Sequence, residues 1–256
     1  MKILSFGASD PGKKRANNED AYLVNDGLGL YAVADGVGGS EAGEIASRIA
    51  VDTISGAMPD LLGDKDRTPP AVVSSGVVPE LAAFRHAVVL ANRNIIEEAG
   101  KDPARAGMGT TLTALLLARK RAFLAHIGDS RAYRLRSGTL AQLTNDHSVV
   151  AEQVRAGLLT PAQARTSPYR HIITQALGIN REAAPDLMEH AAQKGDMFLL
   201  CSDGLTEMVT DREIGRILAG SAPADAARKL IDAANEQGGV DNITAVVVQV
   251  VVERPF

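Results

Sequence analysis

At 256 residues, with 45% apolar side chains and a formal charge of −4, the chain can bury a substantial core without disulfides or structural metal. Its acidity argues against a general nucleic-acid binder, which carries a basic patch and a high pI, although Lys13, Lys14 and Arg15 cluster locally. The single cysteine, Cys201, cannot form an internal disulfide and fits a reducing compartment. No stretch approaches the roughly 18 consecutive apolar residues of a membrane helix, and Asp10 interrupts the start before a secretory leader develops. A cytoplasmic protein with neither nucleic-acid nor membrane partners is expected.

In chain order, Lys2 to Ser9 and Leu28 to Ala34 are rich in apolar and β-branched residues and read as strands. Ile45, Ile49, Val51 and Ile54 follow helix-like spacing after Ser40, a suitable N-cap. Asp60 to Pro79, with its prolines and scattered charges, reads as a surface loop. Pro79 suits the first position of a helix whose apolar face is Leu81, Phe84, Val88, Ala91 and Ile95. Thr110 to Ala118 and Arg121 to Ile127 read as strands, and Ser130 to Arg136 and Leu140 to Thr144 as a hairpin around Ser137-Gly138. Residues 145–180 form a polar, proline-punctuated helical insertion, expected as a subdomain over the site. Met197 to Cys201 and Ile243 to Val248 are β-forming runs, and between them Pro223 to Glu236 reads as a helix stopped by Gly238-Gly239. Hairpins with helices inserted in pairs favour antiparallel α+β layering over βαβ winding, within a single domain covering 1–256.

Five short acidic motifs punctuate these elements: Asn18-Glu19-Asp20, Asp35-Gly36, Gly128-Asp129-Ser130-Arg131, Ser202-Asp203-Gly204 and Asp241-Asn242. Most of these aspartates flank apolar strand runs, where a rigid sheet can hold carboxylates in one place for hard divalent cations. Arg15, close to Asp20, suggests a phosphorylated substrate. Any single Asp-Gly is a common turn dipeptide, so the weight rests on the joint pattern.

That pattern is Arg15 to Asp20, Ala34 to Gly39, Gly109-Thr110-Thr111-Leu112, Gly128 to Tyr133, Leu143 to Ser148, Ser202 to Leu205 and Asp241 to Thr244. It closely resembles the type 2C metal-dependent protein phosphatases of bacteria, in the family's order and over roughly Leu4 to Val252. The resemblance implies a four-layer αββα sandwich, two antiparallel sheets flanked by helix pairs, with a helical flap at about 145–180. It also implies a binuclear Mn²⁺ or Mg²⁺ centre at one end of the sandwich. By that likeness Asp35 bridges both ions and Asp203 and Asp241 bind one of them. Asp20 and the backbone carbonyl of Gly36 bind the other, with Glu19 acting through water. Asp129 matches a residue that, with Asp203, holds a weaker third ion. Arg15 matches the phosphate-binding arginine, so Arg15 and Asp35 are the expected catalytic residues. The charges agree, since Asp20, Asp35, Asp203 and Asp241 balance two divalent cations. Water shared by such ions becomes a nucleophile near neutral pH.

The expected activity is hydrolysis of phosphoserine and phosphothreonine in proteins, by a monomer opposing a serine/threonine kinase and acting on that kinase and its substrates. Two rivals are a phosphatase dedicated to one regulator and a non-catalytic phosphoprotein-binding scaffold; the complete ligand set disfavours the scaffold. Other designs fit poorly. The position six beyond Cys201, where a cysteine phosphatase needs arginine, is Glu207. Gly36-Val37-Gly38 meets Glu41 where a dinucleotide loop needs its third glycine, and Gly12-Lys13-Lys14 lacks the Ser/Thr of a P-loop. His126, in a strand, and His147, after a helix-capping Asp146, are expected to be structural. Animal relatives carry a histidine where this chain has Val37, which leaves a metal-bound water as the expected proton donor. Ser167-Pro168 and Arg170-His171 depart from the His-Pro and Arg-Asn frequent in relatives, so substrate preference does not carry over.

Overall fold

The computed structural model describes residues 2–38, 42–63 and 78–251. One antiparallel sheet contains β1 (Lys2–Asp10), β7 (Arg131–Arg136), β8 (Thr139–Gln142), β10 (Met197–Cys201) and β11 (Ile243–Val251), in the order β1-β11-β10-β7-β8. The other contains β2 (Asp20–Asn25), β3 (Leu30–Val37), β5 (Leu112–Ala118), β6 (Arg121–Ile127) and β9 (Asp186–Ala191), in the order β2-β3-β5-β6-β9. A short β4 (Gly109–Thr110) pairs with the end of β3.

Three apolar layers hold this together. Tyr31, Val33, Leu115, Leu124, Phe198, Leu200, Val246 and Val248 fill the space between the sheets. The alternate residues of β3 and β5, such as Ala32, Ala34, Ala114 and Leu116, face outward onto α1 (Ala42–Gly63) and α2 (Pro79–Ala99). Leu199, Cys201, Ala245 and Val247 likewise pack beneath α6 (Asp211–Ala219) and α7 (Pro223–Glu236). Burial on both faces is why these strands read as continuous apolar runs instead of alternating ones. The expected αββα sandwich is therefore present.

Several local expectations hold for identifiable reasons. Ser137 and Gly138 both adopt positive φ, 50° and 81°, the backbone that a two-residue hairpin between right-twisted strands requires. Pro79 opens α2, where its missing N–H costs nothing. Others need correction. α1 runs through Pro59 to Gly63, so Asp60 to Gly63 is helix and not loop; positions 64–77 and the expected cap Ser40 lie outside the described residues. The strand expected from Thr110 to Ala118 is interrupted at Thr111. β2, β9 and α6 escaped the sequence reading. The two strands are sheet edges of mixed, partly exposed residues, which weakens the alternation signal.

Residues 145–180 contain α3 (Val149–Arg155) and α4 (Pro161–Thr166). Asp146 does not cap α3. Ser148 does, accepting a hydrogen bond from the Ala151 N–H at 3.4 Å. Asp146 instead takes Arg131 in a forked pair, Nε at 2.9 Å and Nη2 at 2.6 Å. His126 is wholly buried between Thr113 Oγ1 at 2.9 Å and the Asn145 carbonyl at 3.0 Å. Burial lowers its pKa to about 4, which fits the structural role expected of it. No described helix is long and apolar enough to cross a membrane.

Candidate metal centre

The acidic motifs meet at one end of the sandwich because the ends of its strands converge there. Asp20 opens β2 and is the register partner of Asp35 near the end of β3. Asp129 follows β6, Asp203 follows β10 and Asp241 precedes β11. Asp35, Asp129, Asp203, Asp241, Glu19, Gly36 and Arg15 all line one cleft of about 1220 Å³, whose far wall is α3, α4 and the turn after them.

Burial and mutual repulsion raise the proton affinity of Glu19, Asp20, Asp35, Asp129 and Asp203. Burial lifts Asp35 well above the usual carboxylate range, and Asp20, Asp203, Asp129 and Asp241 add to it. Burial does the same for Asp203, helped by Asp129 and Glu207. Asp129 is pushed up to about 7, by burial first and then by Asp146. Burial takes Asp20 to about 6 against the opposing hydroxyl hydrogen bonds of Thr244 and Ser202. Glu19 is raised by burial as well. Like charges gathered at one place without compensation are costly, and bound cations are the ordinary remedy.

The hydrogen bonding has the same sense. Asp20 Oδ2 accepts from Thr244 Oγ1 at 2.6 Å and from Ser202 Oγ at 2.7 Å, whereas Asp20 Oδ1 is buried with no partner. Among the described residues no group donates a hydrogen bond to the carboxylate oxygens of Asp35 or Asp203. Buried polar atoms are seldom left unsatisfied, so Asp20 Oδ1 fits a cation, and Asp35 and Asp203, which line the cleft, keep their carboxylate oxygens uncommitted. Three ligand atoms, from His171, Asp203 and Glu207, lie within 4.8 Å of one another. His171 Nδ1 reaches Glu207 Oε1 at 2.9 Å.

Backbone geometry explains two of the motifs. A Cβ on Gly36 would lie 2.2 Å from the Gly43 carbonyl oxygen and 2.6 Å from that of Glu19, so only glycine lets α1 and the Glu19 segment close over this position. Asp35 is pinned on both sides. Its N–H donates to Thr111 Oγ1 at 2.9 Å, and its carbonyl accepts from Thr110 Oγ1 at 2.9 Å.

A family model described as protein phosphatase 2C matches residues 12–245. The chain belongs to the protein phosphatase 2C family. Protein phosphatase PhpP of Streptococcus pneumoniae is 40% identical over 245 residues, covering 94% of both chains. Serine/threonine protein phosphatase PstP of Mycobacterium tuberculosis is 41% identical over 250 residues, which is 97% of this chain and 45% of PstP. This chain thus spans less than half the length of that relative. The crystal structure of the M. tuberculosis phosphatase PstP/Ppp matches with a TM-score of 0.88 at 38% identity, over 98% of this chain and 100% of that one. A crystal structure of the PstP catalytic domain in complex with two manganese ions matches at 0.83 and 39%, over 98% and 99% of the two chains.

Within this protein phosphatase 2C chain, several residues around the carboxylates have roles that their motifs did not disclose. Asn242 is 5% exposed and uses its whole amide. Its Nδ2 donates to the carbonyls of Pro11 at 3.0 Å and Asn17 at 2.8 Å, and its Oδ1 accepts from the Glu19 N–H at 2.8 Å. One side chain therefore folds the loop that carries Arg15 and leads into Asp20. Asn242→Ala should cost about 2–3 kcal/mol, because three backbone groups lose their partner. Thermal unfolding checks this, and a melting temperature equal to wild type would remove the role. Ser202, Thr244, His171 and Glu207 are the other missed contributors.

Arg15 stands at the cleft mouth, its side chain 55% exposed, with Nη2 donating to Asp241 Oδ2 at 2.7 Å. The hydrogen bond and charge of Asp241 raise its pKa further, so it stays a cation. Its other N–H groups have no partner among the described residues and are available to an anion.

Proposed function

We propose that the protein is a metal-dependent serine/threonine protein phosphatase, acting in the cytoplasm as a monomer. In this reading it opposes a serine/threonine kinase by dephosphorylating that kinase and its substrates. The observation that carries the proposal is the meeting of Asp20, Asp35, Asp203 and Asp241 at one end of the sandwich, with the buried Asp20 Oδ1 left without a partner. The printed names of PstP and PhpP, and the manganese in the PstP complex, support it.

In this reading Asp35 would serve two Mn²⁺ or Mg²⁺ ions. Asp203 and Asp241 would serve one of them, and Asp20 with the Gly36 carbonyl would serve the other, assisted by Glu19 through water. Ser202 and Thr244 already occupy Asp20 Oδ2, so Asp20 offers Oδ1 alone. Asp129 and Asp203 would hold a third, weaker ion. When bound, the ion pair supplies the Lewis acidity that makes water a nucleophile near neutral pH and stabilises developing charge. Arg15 grips the phosphoryl oxygens, for which a planar guanidinium is well shaped. Its contact with Asp241 aims it over the carboxylates. The Val37 side chain has no acidic proton, so it cannot protonate the leaving oxygen. Residues 145–180 act as the flap that covers a bound phosphosegment.

The test is hydrolysis of a phosphothreonine peptide and of p-nitrophenyl phosphate. Chelation should abolish both, and Mn²⁺ or Mg²⁺ should restore them. Titration calorimetry should resolve two tight Mn²⁺ sites and a weaker one that disappears in Asp129→Ala. Cys201→Ser should stay active: Cys201 is fully buried in β10 and burial pushes its thiol up to about 12, so no thiolate nucleophile is present at neutral pH. Full turnover in chelator would overturn the metal mechanism.

A further inference from the structure

The cleft has a second electrostatic feature besides its acidic floor. Between 147 and 180 the chain holds three arginines, Arg155, Arg165 and Arg170, and one carboxylate, Glu152. All three arginines line the wall that faces Asp35, Asp129 and Asp203. Glu152 forms no ion pair with them among the described residues, and its Oε1 accepts the hydroxyl of Thr174 at 2.6 Å. The other arginines of the cleft are paired, Arg131 with Asp146 and Arg15 with Asp241. Among the described residues Arg155, Arg165 and Arg170 have no carboxylate partner; Arg155 reaches the Asp146 carbonyl at 3.1 Å and Arg170 only the Ser167 carbonyl at 3.5 Å.

A structural explanation covers part of this. Arg155 and Arg165 lie in the last turns of α3 and α4, where a cation favours the helix dipole. It does not reach Arg170, which lies outside any helix, and it does not require all three to share one cleft. The wall is also anchored, since His171, next to Arg170, bonds Glu207 beside Asp203. Arg15 is the cation placed for the scissile phosphate, which leaves the charge on the wall for something else.

We propose that this wall selects phosphorylated segments carrying a second anionic group beside the scissile phosphate, gripped by Arg155, Arg165 and Arg170. The proposal rests on the phosphatase reading of the same site. A flanking carboxylate and a second phosphoryl group share the recognised chemistry, and guanidinium binds both through forked hydrogen bonds. Solvent-exposed pairs are individually weak, so the effect lies in their number and in steering, and it falls with salt.

The experiment compares kcat/KM for four phosphothreonine peptides of one backbone, flanked by glutamate, by a second phosphothreonine, by glutamine or by lysine, in Mn²⁺ at low and high salt. The glutamate and doubly phosphorylated peptides should exceed the glutamine peptide by about three- to thirty-fold at low salt, and the lysine peptide should fall below it. Which anionic peptide leads tells carboxylate from phosphate as the preferred group. The ratio should shrink at high salt and collapse in R155Q/R165Q/R170Q, and Arg165→Glu should move the preference towards the lysine peptide. Equal kcat/KM for all four in the wild type, or a ratio unchanged in both variants, would overturn the proposal. p-Nitrophenyl phosphate has no flanks, so its turnover by the wild-type protein reports the underlying phosphatase alone. Turnover without flank discrimination sinks only the wall; absent turnover sinks both.

Discussion

Asp203→Asn should reduce turnover by about three orders of magnitude or more and weaken Mn²⁺ binding with it, because one metal-facing negative charge is lost. The substitution keeps the shape of the side chain, so β10 and the short helix α5 (Asp203–Thr206) that follows it should stay folded. Asp203 is the sharpest test because burial and Asp129 raise its proton affinity strongly, and no described group donates to its carboxylate oxygens. An amide there relieves the repulsion in the metal-free protein, so thermal stability without metal should hold or rise. Steady-state kinetics beside Mn²⁺ calorimetry measure both effects. Wild-type metal affinity with turnover within tenfold of wild type would exclude Asp203 as a ligand.

Arg15→Ala should separate from this result by sparing the metals. Removing a charge-assisted clamp costs about 2–4 kcal/mol of transition-state stabilisation, or roughly 30- to 1000-fold in kcat/KM. One complication is the Arg15–Asp241 pair at 2.7 Å, since losing Arg15 also frees a proposed ligand. The pair is 55% and 33% exposed, and pairs in that setting contribute about 0–1 kcal/mol. Asp241 also keeps a hydrogen bond from the Asn242 N–H to Oδ1 at 2.8 Å. The clamp effect should therefore dominate. Arg15→Lys should recover only part of the loss, because an ammonium lacks the planar fork. Equal loss of Mn²⁺ affinity in Arg15→Ala and Asp203→Asn would reassign Arg15 as a support for Asp241.

How far the sequence could be read depends on how far apart the interacting parts lie. Strands such as β3, β5 and β11 were legible because each is a long run of apolar and β-branched residues, and the hairpin because Ser137-Gly138 is a local turn signal. β2 and β9 were not, since an edge strand with mixed exposure leaves little periodicity. The start of the loop expected at Asp60 was misplaced for another reason: the charges and prolines of that stretch signal a loop, yet Leu61 and Leu62 pack on the core and α1 continues to Gly63.

Which carboxylates could take part, and in what order they occur, was legible from the chain alone. Asp20, Asp35, Asp129, Asp203 and Asp241 belong to short motifs whose residue types are set within a few positions of one another. Which of their oxygens remain available depends on contacts made in the folded protein. Asp20 Oδ2 is claimed by Ser202 and Thr244, 182 and 224 residues away along the chain. Asn242 organises a loop more than 220 residues before it. His171 meets Glu207, and the Arg155 wall faces Asp203, through the folding of 145–180 across the strand ends. Hydrogen bonds and charges act over a few ångströms of space, so contacts joined through that much chain have no local signature.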